Sequence, residues 1–233
     1  LEALGGPGER IRAHTALGFP FCDIHDLNLV AVEVKARADA RILPLTVGLD
    51  DDLFEHDGQI TKREIRAVTL AALAPRRGEL LWDIGAGSGS IGIEWMLADP
   101  SLRAIAFEAD PVRAERALRN ARAFGVPGLR IVQGKAPEVL ADPAKPDAIF
   151  IGGGGSAPGV LDAAVEQLKP LGRLVANAVT SEMEAVLLAA QARLGGSLVR
   201  LQVSRLDDVG TMHGWRSAMP VTQWIWTKPG ENR

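Results

Sequence analysis

The chain has 233 residues, of which 47% are hydrophobic and 24% are charged, a balance typical of a globular protein with one substantial core. Its formal net charge is −3, and its 26 lysine and arginine residues are scattered among 29 acidic ones, which disfavours duplex nucleic acid as a partner. The apolar runs are far shorter than the roughly 20 residues that a membrane-spanning helix needs, so we expect no membrane partner.

The beginning of the chain and its cysteine content indicate its setting. Residues 1–12 lack the apolar core of a signal peptide, and the first residue is Leu1, so we expect part of a longer cytoplasmic protein. A single cysteine, Cys22, excludes an internal disulfide framework and a multi-cysteine zinc site. We therefore expect no metal.

The pattern divides the chain into two parts. Residues 1–47 contain one predicted strand at 28–34, followed by a short polar stretch. Acidic and turn-forming residues follow at 50–58, which is typical of a boundary. We predict a first part at 1–47 and a second at 48–233.

In the second part, helix and strand patterns alternate, as in a parallel sheet that is covered by helices on both faces. Capping boxes predict helices that begin at Thr61 and Ser181, and Asp110 before a proline predicts another. The predicted strands lie at residues 79–84, 103–107, 129–133, 147–151, 173–177, 199–203 and 221–227. This order predicts an α/β, doubly wound, seven-stranded sheet whose last strand is antiparallel.

A glycine-rich loop follows the first strand of this predicted sheet, where the sequence from Asp83 to Gly89 reads D-I-G-A-G-S-G. Glycines allow a tight turn and let a ligand approach the N–H groups at the start of the next helix. Gly87, Gly89 and Gly92 also fit the G-x-G-x-x-G pattern of nicotinamide and flavin sites. The loop alone therefore leaves the ligand open.

Asp83 favours S-adenosylmethionine (AdoMet) as the ligand. A carboxylate before the first glycine suits a cofactor with a sulfonium and an ammonium group, and it would repel a pyrophosphate. Glu108 follows the second strand, where it would accept hydrogen bonds from ribose hydroxyls in either kind of site. Thr61 is explained by helix capping but also lies where the pocket would close. The predicted cofactor residues are Thr61, Asp83, Gly85, Ala86, Gly87, Ser88, Gly89, Glu108, Ala136 and Gly152. Sheet and loop together predict a Rossmann-like class I AdoMet-dependent methyltransferase fold.

More specific motifs point to one family. They are the run FEHDGQITKRE at 54–64, APE at 136–138, DAIFIGGGGS at 147–156, GWR at 214–216 and MPVTQW at 219–224. On these motifs, residues 53–226 resemble the methylase domain of the decarboxylating precorrin-6Y C-methyltransferases. Residues 1–47 resemble the closing part of the tetrapyrrole methylase domain that is fused ahead of it in that family.

The resemblance implies an activity in cobalamin biosynthesis. That activity is methyl transfer to carbon 15 of a precorrin, together with decarboxylation of the ring C acetate. It implies AdoMet as cofactor, a small tetrapyrrole as substrate, a fused upstream methylase domain and a homotetramer.

A substrate with several carboxylates needs cationic partners, although a solvated surface position explains each candidate as well. The candidates are Lys62, Arg63, Arg66, Arg205 and Arg216. Gly153 and Gly154, within four consecutive glycines, are expected to face the point of methyl transfer. The sequence assigns no proton donor, and His56, His213 and Arg216 are the catalytic candidates.

Two other functions stay open. A methyltransferase that acts on RNA or protein would share the cofactor half, but no N-P-P-Y motif follows the fourth strand and the chain has no tyrosine. A non-catalytic AdoMet-binding scaffold would keep the fold without the chemistry. The intact loop and both carboxylates disfavour the scaffold.

Overall fold

The structure is a computed structural model that describes residues 1–141 and 144–230. It divides the chain into two compact units, Leu1–Ile42 and Leu43–Arg233. The assignment of residues 1–47 to a preceding domain stays a prediction.

The first unit is held by an ion-pair cluster. The Glu2 carboxylate accepts hydrogen bonds from Arg10 and Arg12, both at 2.8 Å, and isolated bridges join Glu2 to Arg10 and to Asn28. The strand predicted at 28–34 is wrong, because these residues pair with no neighbouring strand and Val32 is exposed. A strand needs an adjacent edge for its N–H and C=O groups, and among residues 28–34 only Asn28 forms a bridge, to Glu2.

The second unit is built on a seven-stranded sheet of order β3-β2-β1-β4-β5-β9-β6. The strands are β1 (Leu80–Ile84), β2 (Arg103–Glu108), β3 (Arg130–Gln133), β4 (Ala148–Ile151), β5 (Arg173–Ala178), β6 (Ser197–Leu201) and β9 (Val221–Thr227). The first five strands pair in parallel, and β9 runs antiparallel to both of its neighbours. The predicted doubly wound sheet with an antiparallel last strand is confirmed.

Helices cover both faces of this sheet. They are α1 (Arg63–Leu73), α2 (Ser90–Ala98), α3 (Pro111–Ala123), α4 (Val160–Gln167) and α5 (Ser181–Leu194). The first three contribute to one apolar core and the last two to the other. In β1, Trp82 points to the core of α4 and α5, whereas Leu81 points to the core of α1 to α3. Because side chains alternate along a strand, Asp83 lies on the same face as Leu81, toward α2.

The helix beginnings differ from two predictions. Helix α1 begins at Arg63 with Lys62 before it, and no side chain caps it, so the capping role of Thr61 is wrong. Helix α5 is capped by Thr180, whose hydroxyl accepts the Met183 N–H at 3.3 Å, one residue before the predicted cap. Asp110 caps α3 as predicted.

A hairpin that the sequence analysis did not predict lies between β6 and β9. Its strands, β7 (Ser204–Val209) and β8 (Met212–Ser217), form a separate two-stranded sheet. Leu206 faces Trp215 across the pair, and both side chains are exposed. Arg205 lies opposite Arg216.

Candidate active site

A cavity of about 630 Å³ lies at the carboxyl ends of β1, β4 and β5 in the second unit. The strand order reverses between β1 and β4, which is where ligands bind in open α/β sheets. The volume is within the usual range for small-molecule sites. The predicted site residues that line it are Thr61, Lys62, Gly85, Ala86, Gly87, Ser88, Gly152, Gly153 and Arg205.

Two glycine loops meet at the centre of this cavity. Gly85 has a φ of +72°, and a Cβ atom at this position would lie 2.4 Å from the Gly153 carbonyl oxygen. The Gly85 N–H donates to the Phe107 carbonyl at 2.9 Å, which fixes the loop above the end of β2. Only glycine allows both the backbone angle and the close approach, so the loop after β1 and the loop after β4 form one continuous wall.

Ser88 lines the cavity. Its hydroxyl is buried and has no hydrogen-bond partner in the described part of the chain. The Ser88 carbonyl accepts a hydrogen bond from the Asn120 amide at 2.9 Å, so the loop is held from α3. A buried hydroxyl without a partner costs free energy unless a ligand engages it.

Glu108 holds the same loop from the end of β2. Its carboxylate accepts the Gly87 N–H at 2.8 Å and the Asp110 N–H at 2.9 Å. The side chain is buried beside the cavity without lining it. Each carboxylate oxygen keeps further acceptor capacity for a hydroxyl group.

Asp83 lies beneath the loop. One carboxylate oxygen accepts the Gly92 N–H at 3.0 Å, and the other has no hydrogen-bond partner among the described residues. Burial raises the pKa of this carboxyl group to about 7, and the charge of Glu108 adds to the shift. Asp83 does not line the cavity, and its hydrogen bond to the Gly92 N–H ties it to α2.

Three other predicted cofactor and substrate residues also lie outside the cavity lining. Gly89 precedes α2 with a φ of +76°, and a Cβ there would lie 3.1 Å from Ala117. Ala136 packs against the core of α4 and α5. Gly154 belongs to the loop after β4 but does not reach the cavity.

The cationic candidates divide into two groups. Lys62 and Arg205 line the cavity, whereas the Arg63 side chain pairs with Asp50 outside it. Arg66 as a substrate ligand is wrong, because its side chain is fully buried and its Nε lies 2.5 Å from the Glu94 carboxylate.

The catalytic candidates do not line the cavity. His56 accepts the Gly58 N–H at 3.0 Å in its own turn. His213 lies 3.3 Å from Asp208 on the exposed hairpin, and Arg216 pairs there with Asp207 at 3.2 Å. Their proposed roles would each require movement of the segment that carries them.

The structure adds residues that the sequence analysis missed. Arg113 on α3 lines the cavity and binds the segment that closes it, donating to Asp57 and Gln59 at 2.9 Å each. Arg116 also pairs with Asp57, and these hydrogen bonds hold the pKa of the Asp57 carboxyl group well below its usual range. Asn177 lines the cavity at the end of β5, a position at which this fold binds ligands.

Among residues 1–141 and 144–230, no helix has the length and hydropathy required to cross a bilayer. The same residues contain no cluster of three or more histidine, cysteine or acidic side chains suited to a metal ion.

The sheet order, the antiparallel β9 and the glycine loop after β1 together define the class I methyltransferase fold. Residues 52–228 match the family model described as the precorrin methyltransferase domain. The chain belongs to this family.

Individual relatives agree with the family match. The chain is 65% identical over 228 residues to a precorrin-6Y C(5,15)-methyltransferase (decarboxylating) of Sinorhizobium sp, covering 98% of this chain and 55% of that protein. It is 35% identical over 179 residues to a cobalt-precorrin-6B C(15)-methyltransferase (decarboxylating) of Salmonella typhimurium, covering 74% of this chain and 92% of that one. The chain thus spans about half the length of the first relative and most of the second.

A solved structure agrees as well. The C-terminal domain of precorrin-6Y C5,15-methyltransferase from Rhodobacter capsulatus superposes with a TM-score of 0.75 at 48% identity. The match covers 80% of this chain and all of that domain.

Proposed function

We propose that the chain transfers the methyl group of AdoMet to carbon 15 of a precorrin and releases the carboxyl group of the ring C acetate as carbon dioxide. The observation that carries this proposal is one cavity that joins the glycine loop after β1 to side chains of β5, β7 and β9. A methyl donor and a bulky acceptor would meet there beside Gly152 and Gly153. The names of the two relatives above both include methylation at carbon 15 and decarboxylation, which supports the proposal.

The cofactor half of the cavity fits AdoMet. The cofactor has cationic groups and no phosphate, and this half offers Ser88 in its lining, the open backbone at Gly87 and the carboxyl groups of Asp83 and Glu108 nearby. Thr61, Gly85, Ala86, Gly87, Ser88 and Gly152 would contact it, with Gly89 shaping the loop and Ala136 near the base. When bound, AdoMet supplies a methyl group on a positively charged sulfur.

The substrate half of the cavity, which contains Lys62, Asn177 and Arg205, carries the cationic groups that an anionic macrocycle requires. Lys62 lies 3.7 Å from Asp51, and Arg205 pairs with Glu64. Both basic side chains are partly exposed, so a substrate carboxylate would compete for them at little cost. Gly153 leaves room for a flat ring system to approach the loop, and Arg63 and Gly154 stay predicted substrate residues.

Positioning supplies most of the catalysis in this proposal. A pyrrolic carbon is electron-rich, so the chain has to hold it in line with the methyl group and exclude water. The apolar side chains of Ile65, Val179, Val203 and Val221 line the cavity and serve that purpose. His56, His213 and Arg216 stay predictions as proton donors.

The direct test uses the purified chain, AdoMet and a metal-free precorrin that lacks the carbon 15 methyl group, with product mass as readout. We expect the gain of one methyl group and the loss of carbon dioxide. Arg205→Ala should raise the KM for the precorrin by about tenfold, since a charge-assisted pair is lost, whereas Arg193→Ala, on the surface of α5, should not. Cofactor binding without any change in the macrocycle would contradict the proposal.

The wider setting is also proposed. The chain spans 55% and 57% of two relatives named for methylation at carbons 5 and 15, which supports a fused upstream methylase domain for the carbon 5 step. The exposed apolar hairpin supports assembly into a homotetramer. We place the enzyme in the cytoplasm, acting on a tetrapyrrole without nucleic acid or membrane.

A further inference from the structure

Three neutral side chains form a hydrogen-bonded network at the floor of the substrate half. Asn177 of β5 donates to the Thr69 hydroxyl of α1 at 3.1 Å. Gln223 of β9 donates to the same hydroxyl at 3.0 Å and to the Asn177 oxygen at 2.9 Å. The strand register places Asn177 directly opposite Gln223, so backbone pairing fixes the geometry.

This network is buried on one side and open on the other. Thr69 and Gln223 are fully buried, whereas Asn177 lines the cavity. The side-chain amide oxygen of Gln223, Oε1, has no hydrogen-bond partner in the described part of the chain. An unpaired buried acceptor is costly, and a half-satisfied polar network does not stabilise a fold better than an apolar core. Stability therefore does not explain why polar groups occupy this position.

Asn177 lines the cavity and keeps donor capacity. Its amide nitrogen has two N–H groups, and in the described chain one of them is taken by Thr69. The two partners orient the amide so that it does not rotate freely. A fixed neutral donor at the edge of a ligand cavity suits an anionic group such as a carboxylate.

The lack of charge at Asn177 matters for decarboxylation. In that step the bond between the acetate methylene and the carboxyl carbon breaks, its electron pair passes into the conjugated macrocycle, carbon dioxide leaves, and a proton completes the methyl group that remains. The negative charge therefore leaves the carboxyl group in the transition state. A guanidinium partner would stabilise the starting carboxylate more than the transition state, whereas a neutral amide orients it with a smaller penalty.

We propose that Asn177, oriented by Thr69 and Gln223, binds the acetate carboxylate that is lost, while Lys62 and Arg205 bind carboxylates that are retained. This inference rests on the proposed function. It assigns two fates to the substrate carboxylates: the one bound by Asn177 is lost, and those bound by Lys62 and Arg205 are retained. Asn177 is then a residue that determines which carboxylate leaves.

The test compares two substrates on each variant. One is the precorrin with its ring C acetate, and the other carries a methyl group in place of that acetate and can only be methylated. We expect Asn177→Ala to lower kcat/KM for the first substrate by about tenfold to a hundredfold, the worth of a hydrogen bond to a charged group. Methylation of the second should stay within about twofold, because it has no carboxylate at this position.

Asn177→Asp provides a second variant of nearly the same shape. It should lower kcat/KM for the acetate substrate more than Asn177→Ala does, because the added charge repels the carboxylate. Arg193→Ala, outside the cavity, should convert both substrates as the wild type does.

The outcomes separate the two proposals. An equal loss on both substrates, or no loss on either, would overturn the role of Asn177 and leave the proposed function intact. Failure of the wild-type chain to convert the acetate substrate would overturn the proposed function and this inference with it.

Discussion

At the scale of single residues, we expect Asp83 to make stability depend on pH. Burial raises the pKa of its carboxyl group to about 7, whereas in the unfolded chain it ionises near pH 4. Between these values the folded state holds a proton that the unfolded state has lost. Stability should therefore fall as the pH rises through this window, by at most about 1.4 kcal/mol per pH unit, and level off above it.

Asp83→Asn should remove this contribution, because the amide does not titrate. The free energy of unfolding in urea is measured for both proteins at about pH 5 and about pH 8. The readout is the change in this free energy between the two pH values, compared between the wild type and the variant. Parallel pH dependence in the two proteins would show that Asp83 does not titrate in this window.

Gly85 and Gly78 provide a matched pair of positions for substitution by alanine. Both have positive φ, +72° and +80°, but a Cβ at Gly78 would meet nothing within 4 Å, whereas at Gly85 it would meet the Gly153 backbone. Gly78→Ala should cost about 1 kcal/mol from the backbone angle alone. Gly85→Ala should cost about 3 kcal/mol or more and weaken AdoMet binding. Equal losses in thermal unfolding would contradict the close contact between the loops.

Whether a site residue could be predicted from the sequence depends on whether its contacts are local or distant along the chain. The glycines and Ser88 were predicted because a strand-to-helix turn is a local pattern in the sequence. Arg113 and Asn177 were not, because their partners are distant along the chain: Arg113 binds Asp57, 56 residues away, and Asn177 binds Thr69, 108 residues away. Arg66 was misassigned because its buried partner Glu94 comes from another helix.

At the scale of elements, α3 holds the segment that closes the cavity. Arg113 bonds to Asp57 and Gln59, and that segment lines the cavity from Gly58 to Lys62. Arg113→Ala should loosen it, increase amide exchange at residues 58–62 and weaken AdoMet binding severalfold. Arg122→Ala, exposed in the last turn of the same helix, provides the control. Unchanged exchange in the Arg113 variant would show that the segment is held by other contacts.

Helices and strands were predicted correctly where the hydrophobic pattern alone defines them. Most of the sheet strands, β9 included, follow from apolar runs between turn residues, whereas the strand predicted at 199–203 follows from alternating apolar and polar residues and overlaps β6. The β7 and β8 hairpin was missed because its strands are exposed on both faces and give no clean alternation. The caps of α1 and α5 were misplaced because neighbouring polar residues offer competing starts, and packing decides between them.

At the scale of the whole molecule, the β7–β8 hairpin is the surface that we expect to associate with other copies of the chain. An isolated two-stranded ribbon is marginally stable in water, and this one exposes Leu206, Val209, Met212 and Trp215. The Trp215 side chain is 75% exposed, an unusual position for the largest apolar residue. Association with the hairpins of other copies would bury these side chains, which is the physical basis of the proposed tetramer.

Trp215→Ser should therefore shift the chain toward smaller species in sedimentation velocity at micromolar concentration. Leu188→Ser, which removes an exposed apolar side chain from α5, should leave the distribution unchanged. Aromatic residues dominate the binding energy of protein interfaces, so one substitution should suffice. A wild-type chain that sediments as a monomer would contradict the tetramer, and a Trp215 variant that assembles like the wild type would move the interface away from the hairpin.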